Sequence, residues 1–383
     1  MPGAPGPLNT PMTASILNDP IGWWTALGRP FLRLPRWGAI AALLVIVMSL
    51  GWMAQATMQL DVAEKARVAA RPKSAIGDVE LYRRITRRVA AGESFYAASL
   101  DEQRHHNYPT KPFVTVRPPT LAYITATIGT PAGKVVSGGL FIVCLALWLW
   151  RLDKAGVSRI EIGLAAVAMA VFGIGLFRES AMLFHEMLSG LLLAIALALV
   201  RPEGKWWPVL LIAALALAIR ELALPFVLLW ALFAAFDRNW RGVAAAAGVV
   251  ALFVVGMYFH AQAVAPHVLP TDLDSPGWDG LNGPRLPFYA MAKLTALVLI
   301  KPWVAALLAM LPLVGWLALG GRLGLFASLW FLGYFLMLSL FARTNNNYWV
   351  LMVLPAYAVG FALLPRALYE LVTVAVRGPK SLS

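Results

Sequence analysis

The chain has 383 residues, 60% of them hydrophobic and only 13% charged, where a soluble domain carries roughly 25% charged residues. About 230 apolar residues suffice for roughly ten membrane spans of about 20 residues each, which excludes a soluble enzyme, a disordered chain and a secreted disulfide scaffold. The net charge of +13 does not indicate nucleic acid, because most basic residues stand at the ends of apolar runs or in one loop, where lipid headgroups and anionic substrates are the partners.

In chain order, residues 1–36 form a Pro/Gly-rich and then basic tail with Arg29, Arg33 and Arg36, read as cytoplasmic. The first apolar run, 37–58, is too long for a cleavable signal and no small-residue cleavage motif follows it, so it reads as an uncleaved span. A polar first outer loop covers 59–117. Further apolar runs lie near 119–150, 160–177, 181–200, 206–219, 222–236, 242–260, 290–318, 323–341 and 348–364. The lone cysteine, Cys144, sits inside one of them and has no disulfide partner. Residues 366–383 form a second cytoplasmic tail. The expectation is an all-α polytopic membrane protein of about ten transmembrane helices over 37–365.

The charges between runs alternate as the positive-inside rule requires. Arg151, Lys154 and Arg159, then Arg201 and Lys205, Arg238 and Arg241, Arg322, and finally Arg366, Arg377 and Lys380 all fall on one side. The exception is the 59–117 loop, with eleven Lys/Arg against seven Asp/Glu. Long loops translocate with less regard to charge, and an anionic lipid-linked substrate would give the excess a use.

Within that loop, Val79, Tyr82, Ile85 and Val89 recur at helical spacing, Arg83, Arg84, Arg87 and Arg88 cover the other side, and Gly92 is a natural stop. This pattern predicts an amphipathic helix lying in the headgroup plane. Asp78 and Glu80 open it. Asp78 suits an N-cap and Glu80 a first-turn charge on the helix dipole, as well as they suit catalysis. Downstream, His106, Tyr108 and Lys111 precede Arg117-Pro118-Pro119-Thr120-Leu121-Ala122-Tyr123, which runs into the next span. A guanidinium held before two prolines suits bidentate phosphate binding or a headgroup anchor.

Asp78, Glu80, Tyr82 and the segment Arg117–Tyr123, taken together, resemble the GT-C superfamily of integral-membrane glycosyltransferases. The likeness is to the bacterial branch that includes the aminoarabinose transferases of lipid A and the protein O-mannosyltransferases. The motif resemblance covers about 75–125, and the order of spans extends it loosely to about 365. Two departures stand out. The acids are separated by Val79 rather than adjacent, and the chain is short and without a large C-terminal outer domain. The resemblance implies transfer of a sugar, with inversion, from a polyprenyl-phosphate donor to an envelope glycan, lipid or protein at the periplasmic face of a bacterial inner membrane. It implies both acids at the reaction centre, with Asp78 as base and Glu80 orienting it or binding the acceptor, and Arg117 on the donor phosphate. A divalent cation is compatible with two carboxylates, but several relatives of this branch work without metal.

Other ionisable residues stand close to the hydrocarbon on the same side, where they face a cavity or one another. They are Arg178 and Glu179, His185 and Glu186, and Arg220 and Glu221. Both substrate contact and structural pairing (Arg178 with Glu179 or Glu186, Arg220 with Glu221) fit them. The five histidines show no zinc spacing. The last outer loop reads Arg343-Thr344-Asn345-Asn346-Asn347-Tyr348-Trp349, with Arg343 suited to phosphate, and Asn347 and Tyr348 to sugar hydroxyls or to a turn and an interfacial belt. The proline-rich loop 261–289 reads as a lid, an acceptor flap or a plain connector; its acids Asp272 and Asp274 lack the remaining ligands of a calcium loop. A flippase of lipid-linked sugars would show repeated halves and broken helices near mid-membrane; no repeat is visible. A scaffold subunit would tolerate loss of Asp78 and Arg117.

Overall fold

The computed structural model describes residues 19–70, 75–201 and 205–379. Among them are fifteen α-helices and no strand. They are α1 (Pro20–Ala26), α2 (Arg36–Ala69), α3 (Asp78–Ala90), α4 (Phe95–His105), α5 (Thr120–Ile128), α6 (Thr130–Lys154), α7 (Arg159–Gly173), α8 (His185–Leu199), α9 (Trp207–Ile219), α10 (Leu224–Phe236), α11 (Trp240–Val264), α12 (Arg285–Leu294), α13 (Pro302–Leu319), α14 (Gly321–Phe341) and α15 (Gly360–Arg377). Seven helical stretches are long and apolar enough to cross a membrane. The chain is an all-α polytopic membrane protein.

The ten apolar runs do not become ten equal helices. Three of them form the shorter apolar helices His185–Leu199, Trp207–Ile219 and Glu221–Phe236. At 1.5 Å per residue, α8 is about 22 Å long, less than the roughly 30 Å of hydrocarbon. Protein surrounds it: its residues from Leu188 to Ala198 are all buried. Trp148 Nε1 donates to the Ala194 carbonyl (3.0 Å) and Ser189 Oγ to that of Ala216 (3.0 Å). At Gly190 a Cβ would collide with the Leu351 carbonyl oxygen, so the absence of a side chain here lets the 3-10 segment approach α8 closely.

The run 348–364 is not one helix. It forms a 3-10 segment over Thr344–Val353, an interruption at Leu354 and Pro355, a second 3-10 turn over Ala356–Val359, and then α15. Its irregular backbone is buried in the bundle, the one setting in which non-helical chain is tolerated at membrane depth. α15 runs through the expected boundary at 365 and continues to Arg377. There Arg366 pairs with Glu161 (3.3 Å), Glu370 with Arg29, and Arg36 Nε donates to the Ala375 carbonyl (2.8 Å). Residues on both sides of the expected tails, 29–36 and 366–377, therefore pack on one another at this end of the bundle. Lys380 lies outside the described residues.

The other end carries α3 and α4. Asp78 and Glu80 in the first turn of α3 and Arg87 and Arg88 in its last complement the helix dipole. Gly92, at φ +93°, closes it, with Glu93 N–H donating to the Arg88 carbonyl (3.1 Å) and Gly92 N–H to that of Val89 (3.0 Å), a Schellman turn. The buried face of α3 is Leu81, Ile85 and Val89, packed on Phe95, Leu100, Val116, Ala122 and Val264. Protein, not the headgroup layer, covers its apolar stripe; Tyr82 packs beside it, and Leu81, Tyr82 and Ile85 also line a cavity.

Gly190→Ala is expected to destabilise the protein by about 1–3 kcal/mol through overpacking. Gly139→Ala, where a Cβ meets open space, should leave stability unchanged or raised. Thermal unfolding in detergent compares the two.

Candidate functional site

A cavity of about 1200 Å³ opens at the end of the bundle that carries α3 and α4. Asp78 and Tyr82 of α3, His106 and Tyr108, Arg117, His185 at the start of α8, and Arg343, Asn347 and Tyr348 of the last loop all line it. Segments far apart in sequence thus meet on one polar surface over an apolar bundle.

Asp78 does not cap α3; Gly77 takes that position, and among the described residues no side chain caps the helix. Its Oδ1 accepts from the Tyr108 hydroxyl (2.9 Å), which leaves Oδ2 open among the described residues. Glu80 stands two residues on, about 200° around the helix, and does not line the cavity. It pairs with Arg83 (2.6 Å) and Arg84 (3.2 Å). Burial alone would raise its carboxyl pKa, but these two guanidiniums outweigh it and hold the group below its ordinary value. The expectation of both acids at one centre thus resolves into two positions, one facing the cavity and one tied to arginines.

Arg117 Nε donates to Tyr82 Oη (3.2 Å), and Nη2 donates to Tyr348 Oη (3.1 Å). Burial pushes the Tyr82 phenol well above its ordinary pKa, so it remains a neutral partner. The Tyr82 ring also meets the His185 ring edge-on, with centroids 5.0 Å apart. His185 is buried, and its Nδ1 has no hydrogen-bond partner among the described residues. Behind this surface lies a buried ion network. Arg220 and Glu186 are both wholly buried, with Arg220 Nε donating to Glu186 Oε1 (2.6 Å). Arg117 Nη2 stands 4.0 Å from the same oxygen, Glu221 takes a second Arg220 nitrogen, and the Trp349 ring lies 5.6 Å from the Arg220 guanidinium. Glu186, Arg220 and Glu221 do not line the cavity; they support the wall that does. They pair with one another, Arg220 bridging two acids rather than bonding Glu221 alone, while Glu186 Oε2 and Arg220 Nη2 are buried without a hydrogen-bond partner among the described residues.

Two expected groups fall elsewhere. Arg178 and Glu179 are exposed and away from the cavity. Lys111 is also outside it, bridged to Asp274 by backbone and by its ammonium (3.5 Å). Several of the loop's described cations are paired within the protein. Arg88 holds Glu93 (2.6 Å), Asp101 (2.6 Å) and Glu102 (3.0 Å), and Arg104 holds Asp272.

The Arg104–Asp272 pair was invisible from local sequence, because its partners are 168 positions apart. Asp272 accepts from Arg104 Nε (2.6 Å) and Nη2 (3.0 Å), from Thr110 Oγ1 (2.9 Å) and from Leu269 N–H (3.0 Å). The Arg104 bonds, against the cost of burial, hold its carboxyl well below the usual carboxylate range. The loop after α11 is therefore a strap pinned to the first loop, not a free connector. Its other end is pinned by Leu281 N–H to the Leu340 carbonyl (3.1 Å) and by Asn282 Nδ2 to that of Ala342 (2.8 Å).

A second, apolar groove of about 560 Å³ lies beside the polar cavity, lined by Pro118 and Pro119, Leu217, and Phe253 and His260 of α11. His260 Nε2 donates to the Val116 carbonyl (3.0 Å), so the backbone that presents Arg117 is also the wall of the groove. Among the described residues no three His, Cys, Asp or Glu side chains converge in a way that would hold a metal ion. Comparison with protein-family models, with curated proteins and with solved structures returns no match.

Glu186→Ala is expected to cost about 3–5 kcal/mol, because it strands buried guanidinium charge; replacing Glu186 and Arg220 together with methionine should recover part of the loss in thermal unfolding. Asp272 gives a pH dependence of known sign. A depressed carboxyl stabilises fully above its unfolded pKa of about 3.9 and less as the pH falls below it. Amides of 268–276 should exchange faster at about pH 3 than at pH 7 after correction for intrinsic rates, and Asp272→Asn should exchange fast at both.

Proposed function

We propose that the protein is a glycosyltransferase of the GT-C kind, moving a sugar from a polyprenyl-phosphate donor to a cell-envelope acceptor. The observation that carries this reading is one cavity lined by Asp78, Arg117 and Arg343 at one end of an apolar bundle. On this reading that end faces the periplasm of a bacterial inner membrane. The donor headgroup enters the polar cavity while its isoprenyl chain lies in the adjoining apolar groove, next to Pro118.

The chemistry asks three things of these side chains. The acceptor hydroxyl attacks the anomeric carbon, and the Asp78 carboxylate, oriented by Tyr108, takes its proton. The bond from the anomeric carbon to the phosphate oxygen breaks with inversion. Arg117 and Arg343 stabilise the charge that grows on the leaving phosphate. Arg117 is presented to it by Tyr82 and Tyr348, with the Glu186–Arg220 pair behind. His106, His185 and Asn347 are left to meet sugar hydroxyls.

A flippase for lipid-linked sugars is the second reading. One observation favours it: the interruption at Leu354 and Pro355, about midway between Arg343 and Arg366. The ionisable groups that line the cavity, however, gather at one end of the bundle rather than around that break.

A transfer assay separates the two. Protein in nanodiscs is given radiolabelled polyprenyl-phosphate sugars and envelope lipid extract. Label is expected to move to a new product, with kcat lowered about a hundredfold or more in Asp78→Asn and in Arg117→Ala, both checked for unchanged melting. Full transfer by Asp78→Asn would remove the base from this position. No transfer with any donor, together with lipid scrambling in liposomes, would establish the flippase instead.

A further inference from the structure

The cavity has one aromatic side chain that the machinery above does not use. Tyr82, Tyr108 and Tyr348 are hydrogen-bonded to Arg117 or Asp78, Trp349 lies against Arg220, and Phe95 packs on Tyr96 and Tyr123. Trp278 lines the same cavity but is 40% exposed, and among the described residues no other ring or cation stacks on it. A large apolar ring left open in a polar cavity is an unfilled contact surface.

The backbone holds this ring in place. Trp278 lies on the strap between its two pinned ends. On one side Ser275 N–H donates to the Lys111 carbonyl (2.6 Å), and Ser275 Oγ accepts from Gly277 N–H (3.3 Å). Gly277 adopts φ +85°, a conformation in which a side chain would be strained. On the other side Gly280 lies so close to the Ala342 carbonyl that a Cβ could not be accommodated. A ring on such a short, doubly fixed segment loses little freedom when a ligand covers it. The same cavity is lined by groups that exchange hydrogen bonds with hydroxyls: Ser275, three residues before the ring, and Asn345 and Asn347 of the last loop. An aromatic face beside amides and a hydroxyl fits a sugar ring, whose axial C–H groups offer an apolar face and whose edge is all hydroxyl. It does not fit a lipid chain, which would leave those polar groups unpaired.

We propose that Trp278 is a saccharide-stacking platform, against which one face of a sugar ring packs while Ser275 and the asparagines of the last loop take its hydroxyls. The site deepens the transferase reading and rests on it for its role in turnover. The ring belongs either to the donor sugar or to a glycan acceptor, and the experiment distinguishes them.

Saturation-transfer NMR on nanodisc-embedded protein with mannotriose, chitotriose and arabinotriose tests binding without any donor. At least one trisaccharide is expected to receive saturation in wild type, to lose it in Trp278→Ala and to keep part of it in Trp278→Phe. In the transfer assay Trp278→Ala should raise one KM about tenfold or more at little change in kcat. A rise in the donor KM assigns the ring to the donor, and a rise in the acceptor KM assigns it to the acceptor. If binding and both KM values match wild type, Trp278 is an interfacial anchor and the proposal falls. It falls equally if kcat and melting temperature drop together in Trp278→Phe, which marks a structural role. Saccharide binding that depends on Trp278 in a protein with no transfer activity would sink the transferase reading and leave the platform standing.

Discussion

Two short helices, α9 and α10, meet at a guanidinium with no solvent contact, and much of the site is arranged around it. An unpaired charge in such surroundings is expensive, so Arg220 is tolerable only because Glu186 and Glu221 reach it and Trp349 covers it. Those partners come from α8, the α9–α10 junction and the last loop. Pairing one charge therefore draws three parts of the chain to one place. Arg117 then shares Glu186 with Arg220 and is aimed by two tyrosines. The position of the residue best suited to a phosphate follows from a charge that never touches the cavity.

The same logic separates the two kinds of cation at this end of the bundle. Arg88, Arg104 and Lys111 spend their charge on neighbouring carboxylates and fix the shape of the loops. Arg117 and Arg343 line the cavity, with a buried Arg343 Nε that has no hydrogen-bond partner among the described residues. A first loop rich in arginine is thus mainly a structural framework, and its capacity for an anion is concentrated at few points.

The sequence made legible what depends on local pattern. Apolar runs marked the membrane elements, period and end charges marked α3, and Gly92 marked its stop. Asp78, Tyr82 and Arg117 were singled out by resemblance to a family motif, and Tyr108, Arg343 and Tyr348 as polar groups near span ends; all six line one cavity. What escaped depends on distant partners or on crowding. Nothing near Asp272 announces Arg104, and a helical reading of 348–364 overlooked how Gly190 and Pro355 shape the centre of the bundle. The two acids of α3 were read as a pair because they are close in sequence, whereas helical geometry sends them to opposite sides.

The length of α2 adds a mechanical condition. Its 34 residues extend about 51 Å, well beyond a hydrocarbon layer of roughly 30 Å. The surplus turns carry Glu64 and Arg67, which line the cavity, and Asp61, which is tied to Lys293 near the end of α12. The cavity wall is therefore a rigid post rooted in the bilayer. Its height above the lipid phosphates is set by hydrophobic matching, so a thicker membrane would sink the rim towards the headgroups and a thinner one would lift it clear.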